Sequence, residues 1–219
     1  SVGNIQHVNL VRLRGFCAEA SRRLLVYDYV PNGSLNSFLF SRNHSKSGEK
    51  VLDWKTRFEI ALGTAGGLVY LHEKCRDRII HGDVKPENIL LDADFSPKLA
   101  DFGLAKLVDR NMSHVPTTTR GTRGYLAPEW ISGLPINPKI ANNAVGEEVR
   151  RASLVSLLCI QHDENVRPSM AEAVLMLEGK MEAHAPSTQC LNAALMQANR
   201  GNSDIDIAGI VSSGWSSLK

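Results

Sequence analysis

Cysteine is scarce and scattered in this chain. Its four cysteines, Cys17, Cys75, Cys159 and Cys190, form no CxxC and have no nearby pair of histidines. That spacing argues against a zinc site and a disulfide framework, and it suits a reduced compartment. Long apolar runs are also lacking, so nothing reads as a membrane span. Neither sign of charge dominates, with 25 Lys and Arg against 23 Asp and Glu, which gives no reason to expect nucleic acid as a partner. The opening Ser1-Val-Gly-Asn4 has none of the features of a secretory signal, and the chain reads as a cytosolic piece. A core is there in ordinary measure: 43% of 219 residues are hydrophobic, enough to fold without covalent staples.

Val11-Arg-Leu-Arg14 alternates apolar and basic residues, and Leu24 to Val30 is almost continuously apolar. The two predict neighbouring antiparallel strands, the second ended by Pro31-Asn-Gly-Ser34. Residues 41–50 read as a solvated loop. Asp53 is placed to cap a helix carrying Phe58, Ala61, Leu62, Ala65, Leu68, Val69 and His72 at helical spacing. Gly63, Gly66 and Gly67 weaken that helix, so packing must hold it. Short apolar pieces follow at 79–80, 89–91 and 98–100, with Asp92-Ala-Asp-Phe95 as the turn of a hairpin between the last two. Residues 121–138 read as irregular, and helices are predicted over about 147–161 and 169–178. The second of these opens with a capping box, Ser169-x-x-Glu172. Residues 199–219 have the composition of a disordered tail.

Chemistry concentrates in two strings, His81-Gly-Asp-Val-Lys-Pro-Glu-Asn88 and Asp101-Phe-Gly103. Phosphoryl transfer needs a carboxylate near the attacking hydroxyl, a cation near the transferred phosphate, and oxygen ligands for Mg²⁺. Asp83, Lys85, Asn88 and Asp101 are groups of those types, on two loops that a hairpin would bring together. The first string alone arises by chance about once in a thousand chains, and the later Asp-Phe-Gly and Ala127-Pro-Glu129 make coincidence negligible.

With these strings in place, the chain resembles the protein kinases of the plant receptor-like group, the lectin-type receptor kinases in particular. The likeness rests also on His7-Val-Asn-Leu-Val-Arg-Leu-Arg-Gly-Phe-Cys17, on Leu25-Val-Tyr-Asp-Tyr-Val-Pro-Asn-Gly-Ser-Leu35 and on Gly121-Thr-Arg-Gly-Tyr-Leu-Ala-Pro-Glu-Trp130. It covers residues 1 to about 139 and resumes from about 147 to 179. The resemblance implies an α+β, two-lobed kinase fold, Ser/Thr hydroxyls of proteins as substrates, and ATP with Mg²⁺ as cofactors. It implies roles as well: Asp83 orients the hydroxyl, Lys85 meets the γ-phosphate, Asn88 and Asp101 hold Mg²⁺, and Thr122 braces the catalytic loop. Asp28 to Val30 become the hinge, with Tyr27 behind the adenine pocket and Leu90 beneath it. Tyr27 also reads as plain core. Glu129 and Arg167 are expected to pair, and Ser113, Thr117, Thr118 and Thr119 lie where such kinases take phosphate or form a merely polar loop. Gly82 stands where many kinases have Arg.

Other parts of the family pattern do not occur in this sequence. There is no GxGxxG, no Val-Ala-x-Lys and no acidic partner for that lysine. The Asp-Val-x-Ser-x-Gly string that opens the family's central helix is missing too, and Glu129 and Arg167 stand only 38 positions apart. Residues 1–30 therefore read as a remnant of the small lobe and hinge, 31–179 as a large lobe with a deletion near 139–147, and 180–219 as the tail. Phosphotransfer by the chain as written is not expected. Three readings stay open: a Ser/Thr kinase, a non-catalytic remnant binding a partner such as a related kinase, and a fragment that does not fold. The chain as written suits the cytoplasm, whereas the family it resembles sits mostly at the plasma membrane with its kinase domain in the cytosol.

Overall fold

A computed structural model describes residues 5–19, 21–40, 52–109, 122, 146–161 and 163–184. Apart from Thr122 the expected irregular segment around Ala127-Pro-Glu129, the candidate phosphate acceptors and the tail beyond His184 lie outside them.

The first pair of strands forms an antiparallel hairpin, β1 (Leu13–Glu19) against β2 (Arg22–Tyr27). Its first strand starts two residues later than the alternation from Val11 suggests. The reason is a competing partner: Val11 N–H donates to the Leu99 carbonyl at 2.9 Å and Leu99 N–H to the Asn9 carbonyl at 2.8 Å. Residues 9–11 are thus spent on another strand. After β2 the chain turns through Gly33, whose φ of +68° is open to glycine. It enters the short helix α1 (Leu35–Leu39).

Helix α2 (Trp54–Val69) is the axis of the molecule. Asp53 caps it, accepting from Thr56 N–H at 2.8 Å. Its glycines are places of close approach. A Cβ on Gly63 would lie 2.6 Å from Pro97 Cγ, and one on Gly67 would lie 3.2 Å from the Asn9 carbonyl oxygen. The helix ends in a π turn, Tyr70–Lys74. Three short strand pieces then build the platform of the site. β3 (Arg78–Ile80) pairs with β6 (Lys106–Val108), and β4 (Ile89–Leu91) pairs with β5 (Pro97–Leu99) around the expected Asp92–Phe95 turn.

Two apolar clusters meet on α2. Leu10, Leu35, Leu52, Ile60, Leu71, Ile79, Ile89, Leu91 and Leu99 form the larger, beneath the strand platform. Phe58 and Leu62 look the other way, onto α3 (Gly146–Cys159) and α4 (Met170–Leu177), where Val155, Ala173 and Leu177 are buried. Trp54 Nε1–H fixes the α2–α3 contact by donating to Glu148 Oε2 at 3.0 Å. The capping box of α4 is complete, with Ser169 Oγ accepting from Glu172 N–H and the Glu172 carboxylate accepting from Ser169 N–H. Among the described residues no helix is long and apolar enough to cross a membrane.

Candidate active site

The loop between β3 and β4 is held by an imidazole. His81 is 1% exposed, and burial pushes its pKa down against the opposing pull of the Ala100 carbonyl, Asp83 and Asp101. A neutral ring has one donor and one acceptor, and both are used. Nε2 stands 3.0 Å from the Ala100 carbonyl, and Nδ1 accepts from Asp83 N–H at 3.2 Å. Only the Nε2–H tautomer satisfies both bonds. The ring also packs on Phe102, with centroids 5.0 Å apart. His81 therefore joins the two chemical strings, a role not anticipated from the sequence. Its place at the head of the first string was the available signal.

Next to it, Gly82 takes φ +81°, and a Cβ there would lie 2.9 Å from the Leu104 carbonyl oxygen. A side chain at this position is strained by both backbone and contact.

Asp83 is the hub. Its side chain is 7% exposed, yet every direction is answered. Oδ1 accepts from Thr122 Oγ1–H at 2.5 Å and from Thr122 N–H at 3.2 Å. Oδ2 accepts from Asn88 Nδ2–H at 3.0 Å and lies 2.8 Å from Lys85 Nζ. The Lys85 ammonium donates in turn to Thr122 Oγ1 at 2.6 Å. Burial by itself would raise the Asp83 pKa. The hydrogen bonds from Lys85, Thr122 and Asn88, with the charge of Lys85, outweigh it and hold the carboxyl below its usual range. Bonding to Asp83 holds the Lys85 ammonium above its own ordinary value. Asp83 is thus a fixed carboxylate anion, and Lys85 a fixed cation beside it.

Asn88 closes the loop on itself. Its Nδ2 also donates to the Asp83 carbonyl at 2.9 Å, and its own carbonyl accepts from Ala100 N–H at 2.8 Å. With the amide nitrogen so committed, Oδ1 is the atom left to serve as a ligand. Asp101 takes a left-handed φ of +61°, and its exposed carboxylate accepts from Gly103 N–H at 3.1 Å. The expected metal pair is thus one amide oxygen and one carboxylate, hard donors of the class Mg²⁺ selects. Among the described residues no group of three or more His, Cys, Asp or Glu is gathered as for a metal.

The structure brings Asp83, Lys85, Asn88 and Thr122 into one hydrogen-bonded cluster, with Asp101 tied to it through His81 and Ala100. The expected nucleotide wall is separate. Asp28 donates its N–H to the Arg12 carbonyl at 3.0 Å, and its carboxylate binds the Arg14 guanidinium, which holds its pKa down. Asp28, Tyr29 and Val30 line a cavity of about 580 Å³ with Gln6, Leu10, Arg12 and Lys98, on the side of the 6–12 loop. Tyr27 is 40% exposed at the end of β2, opposite Leu13, and Leu90 is half-buried in β4; neither lines that cavity. Arg167 is described, and its Nε–H donates to the Gln161 carbonyl at 2.6 Å, but its expected partner Glu129 lies outside the described residues.

Residues 1–149 match the protein kinase domain. A G-type lectin S-receptor-like serine/threonine-protein kinase of Arabidopsis thaliana is 48% identical over 239 residues, taking in 85% of this chain and 29% of the relative. A second Arabidopsis kinase of that class is 44% identical over 258 residues, covering 91% of this chain and 32% of its own length. A receptor protein kinase of Zea mays is 50% identical over 194 residues, covering 85% and 23%. The chain spans about a third or less of the length of these relatives. The two motif strings, the ionic cluster around them and the domain match lead to one conclusion: the chain belongs to the protein kinase family, and the three relatives described here are plant receptor kinases.

Proposed function

We propose that this chain carries the catalytic loop of a protein kinase that phosphorylates Ser and Thr hydroxyls of proteins. The observation that carries the reading is the Asp83 carboxylate, kept ionised at the centre of a cluster whose other members are a cation, a hydroxyl and an amide. An anion fixed in this way can orient a substrate hydroxyl and take up its proton as the oxygen attacks. Lys85 sets a positive charge beside the same point, where the transferred phosphoryl group gains its negative charge. Thr122 Oγ1 accepts from Lys85 and donates to Asp83, so it fixes the distance between the two.

Asn88 Oδ1 and the Asp101 carboxylate would hold Mg²⁺, which when bound neutralises phosphate oxygens. Backbone groups of Asp28 to Val30 would meet adenine. The phosphate end of ATP finds no matching residues in these 219: there is no glycine-rich loop and no Val-Ala-x-Lys lysine. We therefore assign the chain the chemistry of its loop and expect no turnover from it by itself. In a receptor-like protein such a domain would act on the cytosolic side of the membrane.

The test is complementation. The glycine-rich strands and the central helix of the Arabidopsis relative are fused into the chain, and phosphate transfer from labelled ATP to a Ser- and Thr-containing protein is followed. Transfer by the fused protein, loss of at least ~10³-fold with Asp83→Asn, and none from the 219 residues alone are expected. Equal transfer with Asp83→Asn would sink the assignment, and turnover by the unfused chain would overturn the expectation that these 219 residues do not turn over by themselves.

A further inference from the structure

Hydrogen-bond donors outnumber open acceptors around the cavity between the 6–12 loop and residues 28–30. At about 580 Å³ it has room for a small organic molecule. Its walls are pinned on both sides. Asp28 N–H donates to the Arg12 carbonyl and Val11 N–H to the Leu99 carbonyl, and beyond Val30 Asn32 N–H donates to the Leu91 carbonyl at 3.0 Å. Tyr27 and Leu90, the residues expected around adenine, do not line it.

The carboxylates of this cavity are already occupied. Both oxygens of Asp28 accept from the Arg14 guanidinium. Asp92 Oδ1 accepts from Asp94 N–H at 3.1 Å and Ser96 N–H at 2.9 Å, and its Oδ2 lies 3.3 Å from Lys98 Nζ. The donors are less fully engaged. Lys98 Nζ reaches the Val8 carbonyl at 2.8 Å and Asp92, which uses two of its three N–H groups. His7 Nδ1 accepts from Asn9 N–H at 3.1 Å, which leaves the proton of the neutral ring on Nε2. Among the described residues the Arg12 guanidinium and the Gln6 amide make no side-chain hydrogen bond. With Arg14 counted beside Asp28, the three cations Arg12, Arg14 and Lys98 stand against two carboxylates, Asp28 and Asp92. Open donors and surplus positive charge select an anion, and the planar fork of arginine suits a carboxylate or a phosphate. Val8, Leu10, Val11, Tyr29 and Val30 make the rest of the lining apolar or aromatic, which a bare inorganic ion would not use.

We propose that this cavity binds a small organic anion, with its carboxylate or phosphate on Arg12 and its apolar part among Val8, Tyr29 and Val30.

NMR titration of the full chain with phenyl phosphate and with benzoate tests this. Binding is expected, and the tighter of the two probes identifies the anionic group. Arg12→Met should weaken it on the order of tenfold or more, since a charge-assisted hydrogen bond is lost. Arg23→Met, at a cation that does not line the cavity, should leave it unchanged. Benzylamine, of similar shape and opposite charge, should bind more weakly than benzoate. Arg12 is exposed, and should Arg12→Met still fail to fold, the benzylamine comparison decides alone. Failure of both anions to bind, equal binding by Arg12→Met, or benzylamine as tight as benzoate would overturn the proposal. Inorganic phosphate binding as tightly as phenyl phosphate would also overturn it, leaving only a bare anion site. So would displacement of phenyl phosphate by Mg²⁺–ADP, which would make the cavity part of the nucleotide site.

Discussion

The loop from His81 to Asn88 and the β1–β2 hairpin lie in one chain and are built on opposite terms. Between His81 and Asn88 three polar side chains are buried, and among the described residues no buried side-chain polar atom lacks a partner. Each group in the loop is fixed by at least two others, so removing one strands the rest. In the hairpin the apolar side chains face water, and the ladder between the strands is what holds their shape. A buried polar network tolerates little change, because an unpartnered group costs more than a good bond gains. An exposed apolar ladder tolerates much, because there is little packing to lose. Substitutions chosen to match across the two regions should divide sharply.

The largest expected effect lies under the loop. Leu91 in β4 is fully buried, and Leu91→Ala should lower stability in urea denaturation by about 3 kcal/mol. Leu24→Ala, at a side chain that is 58% exposed, should change it by less than about 0.5 kcal/mol. Similar losses at both sites would mean that Leu24 is packed as closely as Leu91. Next comes the position where many kinases carry Arg. Gly82→Arg would force a side chain into a left-handed φ and a Cβ to 2.9 Å from the Leu104 oxygen. A loss of about 2 kcal/mol is expected, against no measurable change for Gly15, where a Cβ meets nothing within 4 Å.

Much of the loop was legible because its strings are dense in groups that can do only a few things. Asp83, Lys85, Asn88 and Thr122 do come together, and the Asp53 cap and the Ser169 capping box form as the local pattern dictates. The start of β1 was less legible, since alternation at Val11 to Arg14 is silent about the competing bonds between residues 9–11 and Leu99. His81 was missed as a linker because its use depends on where Ala100 lies, 19 positions on. Gly63 and Gly67 looked like weaknesses in α2, yet they are what lets Pro97 and Asn9 approach it. Contacts of that kind are set by the third dimension and leave no local mark.

A pH series sharpens the contrast at an intermediate scale. His81 and His72 both titrate below their ordinary value of 6.5, chiefly because burial disfavours the imidazolium. Between the folded and unfolded pKa values the unfolded chain binds the extra proton, so stability falls as pH drops below about 6.5. Asp83 works in a lower window. Its depressed folded pKa adds stability above the unfolded carboxylate value, and that is lost as pH falls through the folded one. The urea midpoint should therefore decline from pH 7.5 to 5 and again below pH 4. His72→Gln should flatten the first decline in part, and an unaltered slope would remove His72 as a source of it.

The smallest effect is expected at the ion pair of the hairpin, where geometry alone would suggest a large one. Arg14 grips Asp28 through two nitrogens, but the two side chains are 54% and 39% exposed. The Lys85–Asp83 pair has the same charges, with side chains 18% and 7% exposed. Water and salt screen the first pair, and ordering two long side chains offsets what attraction remains. The second sits among fixed dipoles that cannot rearrange to replace a lost partner. Arg14→Met should leave the urea midpoint within its reproducibility, and 1 M NaCl should not change that result. Lys85→Met should lower the midpoint clearly, since it leaves a buried carboxylate short of its cation. If the two substitutions moved the midpoint alike, burial would not be what separates the loop from the hairpin.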